Sequence, residues 1–117
     1  MDAVIREYQP PDEPRVVELS LRAWVAAVDR QVVGFVAATI ERERRLGEIL
    51  MLAVDPDSEG QGVGGALTEF ATEWLRSAGA RIAMVGTGGD PGHAPARRVY
   101  ERAGYTALPV ARYFKAL

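Results

Sequence analysis

The clearest pattern in the chain is an apolar run that meets a glycine cluster, which then opens into an amphipathic segment. The run covers 49–54, a polar turn follows at 55–59, and glycines cluster within 60–65. This order predicts a buried strand, a glycine-rich loop and a helix that Gly79 ends. The helix carries apolar residues at three- and four-residue spacing, which we expect in the core: Val63, Leu67, Phe70, Ala71, Trp74 and Leu75.

The neighbouring segments predict more strands and a second helix. Apolar runs at 24–28 and 32–40 enclose a short polar stretch, which is typical of two antiparallel strands joined by a tight turn. The charged segment 41–47 predicts a solvated hairpin end before the next strand. Residues 81–85 and 94–103 then predict a short strand followed by a helix.

Both ends of the chain carry weaker patterns. Residues 3–8 predict a short strand that Pro10 ends, because proline has no N–H group for a strand ladder. A helix is expected over about 13–22. The tail 105–117 is rich in aromatic and β-branched residues and predicts two strands bent at Pro109.

The join between the first predicted helix and the following strand is unusually tight. A helix that ends near Arg22 and a strand that begins at Trp24 leave almost no turn, whereas connections of about 4 to 6 residues are usual. We interpret the two elements as overlapping, or the chain as lacking residues between Trp24 and Val25.

Composition and charge narrow the class of protein. The 117 residues suffice for one domain, and 48% hydrophobic with 26% charged residues is ordinary for a soluble globular protein. A formal net charge of -2 offers no long-range attraction for nucleic acid or an anionic membrane. The chain has no cysteine and one histidine, so disulfides and thiolate metal sites are excluded and we expect no metal. No apolar run is long enough to span a bilayer, and we expect a cytoplasmic protein.

The glycine cluster indicates a ligand that carries phosphate. Glycines before a helix let the backbone approach a ligand, and the free N–H groups of the first helical turn attract anionic oxygens. A nucleoside-triphosphate loop would need a lysine after its glycines, and Lys115 is the only lysine in the chain. The dinucleotide fingerprint GxGxxG occurs as Gly60, Gly62 and Gly65, but it follows an apparent antiparallel hairpin, and Asp90 lies too far on to bind a ribose. An NAD-dependent oxidoreductase is therefore the less favoured alternative function.

Two motifs together resemble the GNAT superfamily of acyl-CoA N-acyltransferases. The block AVDPDSEGQGVGGAL is similar to the family's V-x-P-x-x-[QR]-G-x-G-x-[GA] motif with its variable spacing. The later block HAPARRVYERAGY is similar to N-x-x-A-x-x-x-Y-x-x-x-G-[FY]. The matching residues are Val54, Pro56, Gly60, Gly62, Gly64, Ala66 and Leu67 in the first motif, and Ala96, Tyr100, Gly104 and Tyr105 in the second. Two motifs in the correct order, joined by the expected helix and strand, are specific where either alone is not.

This resemblance implies a fold and an activity. The fold is α/β (α+β), with a mixed, mostly antiparallel central sheet flanked by helices in one domain over residues 1–117. The activity is acetyl transfer from acetyl-CoA to a primary amine by direct attack, without a covalent enzyme intermediate. The acceptor would be a small-molecule or peptide amine, with no nucleic acid or membrane as partner. The acceptor's identity and the oligomeric state, a homodimer included, are left open by the sequence.

The resemblance also implies where acetyl-CoA binds. Its pantetheine would pair with the strand before the glycine loop, at Leu52, Ala53 and Val54. Arg97 and Arg98, in the first turns of the later helix, are the stronger arginine candidates for a phosphate contact. The pyrophosphate would meet the loop amides of Glu59, Gly60, Gln61, Gly62, Val63, Gly64 and Gly65.

Three residues are candidates for the chemistry, each with a plainer alternative. Tyr100 matches the family's general acid, or it is an aromatic packed in the core. Glu48 matches a position where some members hold the general base, or it is a solvated acid at a strand end. His93 could act as base or contact the cofactor, or it is a helix-start residue that makes a local hydrogen bond.

The chain departs from the family pattern in three ways. Glu59 stands where the family has arginine or glutamine, and its charge is unfavourable near a pyrophosphate unless it turns outward. His93 stands where the family has asparagine. The chain has room for one helix between its first two strands, where the family has two. These departures keep a non-catalytic acyl-CoA sensor as the main alternative.

Overall fold

Four strands and two α-helices form the regular structure of residues 21–117, the part of the chain that this computed structural model describes. Two 3-10 turns, Pro56–Ser58 and Pro91–His93, precede the helices. The elements, in chain order, are β1 Arg22–Val28, β2 Gln31–Glu41, β3 Leu46–Val54, α1 Val63–Ser77, β4 Ile82–Val85 and α2 Ala94–Arg102. The predicted strand at 3–8 and the predicted helix, apart from its last two residues, lie outside the described residues.

The strands form one sheet in the order β1-β2-β3-β4. The first three pair antiparallel, and β3 pairs with β4 in parallel, since α1 carries the chain back across the sheet. The β1–β2 turn uses Asp29 and Arg30 with φ of 50° and 67°, the left-handed geometry that a two-residue hairpin turn requires. The predicted mixed, mostly antiparallel sheet is confirmed.

Helix α1 covers one face of the sheet and forms the core with it. Its buried positions Leu67, Ala71 and Leu75 recur at four-residue spacing and so share one side of the helix. They pack against alternate residues of β2 and β3, which are Val36, Ala38, Ile40 and Ile49. Gly47 lets the helix come close, because a Cβ at that position would lie 2.6 Å from Leu75 Cδ2. Burial of a leucine side chain of this kind contributes about 1.5 to 3 kcal/mol.

Two aromatic residues of the predicted core lie nearer the surface than the helical spacing indicates. Phe70 is 56% exposed and Trp74 is half-buried, whereas Leu75 is buried as expected. Both aromatic rings contact Trp24 of β1 edge-on, with centroid distances of 5.3 and 5.2 Å. The helix therefore covers the edge strand with aromatic side chains that retain contact with solvent.

Two predictions at the ends of the described region are wrong. Arg22 begins β1, so a helix cannot extend to it, and β1 pairs continuously with β2 through Trp24 and Val25. The idea that residues are absent at this join stays a prediction. The tail 105–117 forms no strand, although its composition favours one. A strand needs a neighbour for its backbone hydrogen bonds, and within the described residues the tail pairs with no strand of the sheet.

Candidate functional site

Strands β3 and β4 pair over only four positions and then part. The pairing runs from Leu46 opposite Ile82 to Ile49 opposite Val85, where β4 ends. Strand β3 continues to Val54 while paired only with β2. Among residues 21–117, no strand occupies the other edge of β3 over 50–54, so an extended ligand could reach backbone groups along that edge.

A β-bulge marks the point where the two strands part. Ala38 lies opposite Ile49 and Ala37 opposite Met51, which leaves Leu50 as the extra residue of β3. A bulge increases the local twist of a strand and turns it away from its neighbour. The bulge at Leu50 follows directly after the last β3–β4 pair, so it helps to open the sheet at this place.

The glycine loop links the open end of β3 to α1. Asp55 starts the loop by accepting a hydrogen bond from the Asp57 N–H at 2.9 Å. Gly60 and Gly62 then take φ of 79° and 85°, in the left-handed region where a side chain would be strained. The predicted strand, glycine loop and helix are therefore found in that order.

The N-terminus of α1 is uncapped and open. Gly62 is its N-cap and offers no side chain, and the first backbone bond within the helix is donated by the Ala66 N–H to Gly62 O at 3.0 Å. The N–H groups of the first turn of α1 therefore have no side-chain cap among the described residues. A Cβ placed on Gly65 would meet no atom within 4 Å, whereas one on Gly64 would meet Val54 and Val99 at ordinary contact distance. The helix end thus lies against β3 and α2 on one side and is open at Gly65.

Tyr100 is a buried phenol on α2. Its residue is 9% exposed, and its ring meets that of Tyr105 edge-on at 6.3 Å. The Tyr105 hydroxyl shares a hydrogen bond of 2.6 Å with Thr72 Oγ1 on α1, which joins the segment after α2 to α1. Burial raises the pKa of Tyr100 above its ordinary value of 10, and Tyr105 adds to this effect. Tyr100 therefore carries its proton at neutral pH. It is also packed in the interior, as predicted by the alternative that it is a core aromatic residue.

Glu48 lies on the face of the sheet that α1 does not cover. Its neighbours Gly47 and Ile49 are buried under α1, and side chains alternate along a strand, so Glu48 is directed to the other face. The pairing places it between Thr39 of β2 and Met84 of β4. It is half-buried there. Tyr100 belongs to α2, which packs on α1.

His93 and Arg97 organise the loop before α2 through local bonds. His93 Nδ1 lies 2.6 Å from Asp90 Oδ1, with both side chains 56% exposed. The hydrogen bond from His93 lowers the pKa of Asp90. Arg97 Nη1 donates to the carbonyl oxygens of Gly88 and Asp90, at 2.6 and 2.8 Å. His93 thus makes a local hydrogen bond, as expected for a residue at the start of a helix. One nitrogen of Arg97 is occupied by its bonds to the loop carbonyls.

Asp90 also belongs to the hydrogen-bonded loop before α2, although the sequence indicated it only as a distant candidate for a ribose contact. It stands three residues before His93, with Pro91 and Gly92 between them. This spacing is typical of a turn that brings the two side chains together. When Asp90 is ionised, it accepts from Nδ1–H and leaves Nε2 of His93 as the free ring nitrogen.

A family comparison decides the assignment. Residues 3–105 match the model described as the Acetyltransferase (GNAT) family. The chain belongs to the GNAT family. The resemblance inferred from the two motifs is thereby confirmed.

Curated relatives of this GNAT chain include two mycothiol acetyltransferases. The protein from Streptomyces coelicolor is 37% identical over 82 residues, which cover 70% of this chain and 26% of the relative. The protein from Streptomyces griseus is 35% identical over 87 residues, which cover 74% of this chain and 28% of the relative. The chain therefore spans about a quarter of the length of these relatives.

Solved structures share the fold. An aminoglycoside acetyltransferase from an uncultured soil metagenomic sample, in complex with sisomicin, matches with a TM-score of 0.71 at 19% identity over 97% of this chain and 79% of that one. An aminoglycoside N-acetyltransferase in complex with CoA matches with a TM-score of 0.71 at 17% identity over 92% and 84% of the two chains. These likenesses confirm the predicted GNAT fold.

Residues 21–117 contain neither a metal-binding cluster nor a membrane-spanning helix. Over 21–117, no group of three or more histidine, cysteine, aspartate or glutamate side chains is arranged to hold a metal ion. Neither α-helix of this region has the length and apolar character needed to cross a bilayer.

Proposed function

We propose that this GNAT domain transfers an acetyl group from acetyl-CoA to a primary amine. The observation that carries the proposal is the opening between β3 and β4, which leaves one edge of β3 unpaired directly before a glycine loop and an uncapped helix. A strand edge pairs with an extended, amide-bearing ligand, and a helix N-terminus stabilises an anionic one. Acetyl-CoA has both features, in its pantetheine and its pyrophosphate.

The residues of the opening fit this ligand. The backbone of Leu52, Ala53 and Val54 lies on the unpaired edge and would hold the pantetheine amides. The loop amides would hold the pyrophosphate, and the residues concerned are Glu59, Gly60, Gln61, Gly62, Val63, Gly64 and Gly65. Backbone N–H groups bind anions whatever side chains they carry, which is why glycine spacing is the visible signal.

Glu59 is compatible with the proposal because it is exposed. Its backbone is extended, with φ of -64° and ψ of 150°, and it ends the 3-10 turn before the glycines. A carboxylate in water is well screened from a nearby phosphate, so its cost to CoA binding is modest. The Glu59 N–H itself donates to the Pro56 carbonyl oxygen at 3.4 Å, so the amides that follow it in the loop are the stronger donors for a phosphate.

The chemistry needs a base and an acid on the two sides of the opening. Acetyl-CoA supplies a thioester carbonyl that an amine nitrogen attacks directly, and a thiolate that leaves. An alkylamine has a pKa near 10.4, so at neutral pH its ammonium must first lose a proton, and Glu48 takes that proton directly or through water. Tyr100 keeps its own proton because burial raises its pKa, and it donates that proton to the departing sulfur.

His93 and Arg97 act at the rim of the site. Nε2 of His93 is the free ring nitrogen when Nδ1 donates to Asp90, so His93 is a second candidate for proton transfer. Arg97 holds the loop through Nη1, and its remaining N–H groups are donors for a CoA phosphate.

The acceptor is a small-molecule or peptide amine, and the reaction needs no metal, nucleic acid or membrane. We also propose that the protein acts in the cytoplasm. A measurement of its mass in solution decides between a monomer and a homodimer.

Free thiol release from acetyl-CoA, measured with a panel of primary amines, tests the proposed activity. We expect rates that saturate in both substrates, an amine product heavier by one acetyl group, and no acetyl-enzyme in the intact-protein mass spectrum. Saturable CoA binding without turnover of any amine would instead favour the acyl-CoA sensor. Absence of CoA binding together with binding of NAD(H) would favour the oxidoreductase.

A further inference from the structure

The face of the sheet opposite α1 is apolar and open over residues 21–117. We call it the outer face, and the alternation of side chains along the paired strands assigns its members. Val25 is 62% exposed, Met51 58%, Ile82 63% and Met84 42%. The half-buried members among its apolar residues are Phe35, Ala37 and Leu46. Contiguous apolar surface of this kind is typical of a binding site rather than of a bare protein surface.

A single free carboxylate lies within this apolar surface. Of the strand residues assigned to the outer face, only Glu48 and Glu41 are charged. Glu41 lies at the end of β2, where Arg44 forms an ion pair and a backbone hydrogen bond with it. Glu48 lies in the middle, with Thr39 and Met84 beside it. Within residues 21–117, the outer face therefore offers one carboxylate without an ion pair, with polar Thr39 on one side of it and apolar side chains otherwise around it.

From this arrangement we infer that the acceptor is an amine with one positive charge on an apolar body. The inference rests on the proposed function and adds the chemical class of the acceptor. The ammonium group is complementary to Glu48, which lies next to the opening between β3 and β4. The rest of the acceptor packs on the apolar side chains around it. Methionines such as Met51 and Met84 adapt their shape to different apolar bodies.

A polycationic acceptor fits this surface poorly. Its second ammonium group would lose water against apolar side chains without gaining a carboxylate. A methyl group at the same place would gain from burial instead. The discrimination is therefore strongest between two acceptors of the same size that differ only at the end away from the reacting amine.

Hexylamine and 1,5-diaminopentane form such a pair, since both have the same number of non-hydrogen atoms. We expect kcat/KM for hexylamine to exceed that for 1,5-diaminopentane by about tenfold or more, in thiol-release assays with saturating acetyl-CoA. Equal values, or a preference for the diamine, would overturn the inference and leave the proposed acetyl transfer intact. If acetyl-CoA itself failed to bind, in a separate equilibrium titration, both would be overturned.

Met51→Glu tests the surface itself. Met51 is exposed, so a glutamate is accommodated there without a cavity or an overpacked core, and it adds a second carboxylate next to Glu48 on the outer face. The ratio of kcat/KM for the diamine over hexylamine should rise about tenfold. Leu108→Glu is the matched control, because it adds the same charge at a tail position that is 78% exposed. A ratio unchanged in Met51→Glu, with folding verified by its thermal transition, would overturn the assignment of the outer face.

Discussion

At the residue scale, Tyr100 has an observed packing role and a proposed chemical one. Its ring contacts that of Tyr105, whose hydroxyl bonds Thr72 of α1. The same burial raises its pKa, so the phenol is a proton donor over the whole physiological range. A structural and a catalytic role are therefore compatible here, and different measurements separate them.

Tyr100→Phe removes the proposed acid while retaining the ring. We expect kcat to fall about 100-fold, because the leaving thiolate loses its proton donor, while the affinity for acetyl-CoA changes little. Steady-state kinetics and an equilibrium titration measure the two quantities. Tyr105→Phe is the control: it removes the hydroxyl that bonds Thr72 and should cost about 1 kcal/mol of stability without a comparable loss of kcat. An unchanged kcat in Tyr100→Phe would remove Tyr100 as the acid.

The raised pKa of Tyr100 also predicts how stability depends on pH. Between the ordinary pKa of 10 and the higher folded-state pKa, the unfolded chain loses this proton and the folded one retains it. The free energy of unfolding must then decrease as pH rises above about 10. Denaturant unfolding at pH 9 and at pH 10.5 should show a larger loss in the wild-type protein than in Tyr100→Phe. Equal losses in the two proteins would contradict this effect.

Sequence alone identified the candidate residues but not their contacts. The resemblance indicated Tyr100 and Glu48 because they match positions where members of the family hold an acid or a base, and His93 was a candidate because of its side-chain chemistry. The bonds of His93 to Asp90 and of Arg97 to the loop carbonyls depend on the path of a loop with several glycines. Local propensity does not determine such a path, since glycine accepts many conformations.

At the element scale, the proposed site lies where three elements diverge. Strand β4 ends opposite Ile49, the bulge at Leu50 turns β3, and α1 begins at the left-handed Gly62. The strand, the loop and α1 were all predictable, because an apolar run, a glycine cluster and a period of 3.6 residues each leave a local signal. The bulge and the parting of β3 from β4 were not, because they depend on which residues pair across strands.

Gly65→Ala separates the folding role of the loop from its binding role. Gly65 is helical, and an added Cβ meets open space, so alanine should stabilise the fold by about 0.5 to 1 kcal/mol. If the pyrophosphate lies over this turn, the same methyl group should weaken CoA binding by about tenfold. Chemical denaturation and calorimetric titration give the two values. Affinity unchanged in this variant would show that the phosphates lie elsewhere.

Gly79→Ala provides the contrasting control. Gly79 takes φ of 102° after the other end of α1, where alanine is strained by about 1 to 2 kcal/mol. This variant should lose stability and retain its affinity for CoA, the opposite of Gly65→Ala on both counts.

At the scale of the whole molecule, the sheet divides the described region into two sides with different roles. One face is covered by α1, with α2 packed on that helix, and holds the core and Tyr100. The outer face carries Glu48 among apolar side chains. In the proposed mechanism, a ligand held in the opening between β3 and β4 is reached by Glu48 from one side of the sheet and by Tyr100 from the other.

The tail shows where a prediction from composition fails at this scale. Residues 105–117 are rich in strand-forming side chains, yet Leu108, Val110, Tyr113 and Phe114 are all at least 78% exposed. A segment with strand propensity becomes a strand only when it pairs with a neighbour, and this segment pairs with no strand in the described region. Whether such a segment forms a strand is thus a property of the whole fold.

The most direct test of the central claim is a titration of the protein with CoA, followed by the shifts of its backbone amide resonances. We predict saturable one-to-one binding, with the largest shifts at the amides of 52–54 and 60–65, because those amides would meet the pantetheine and the pyrophosphate. The amides of β1, on the far edge of the sheet, should be nearly unchanged. Absence of saturable shifts, or shifts confined to residues outside the opening between β3 and β4, would contradict the assignment of this opening as the acetyl-CoA site.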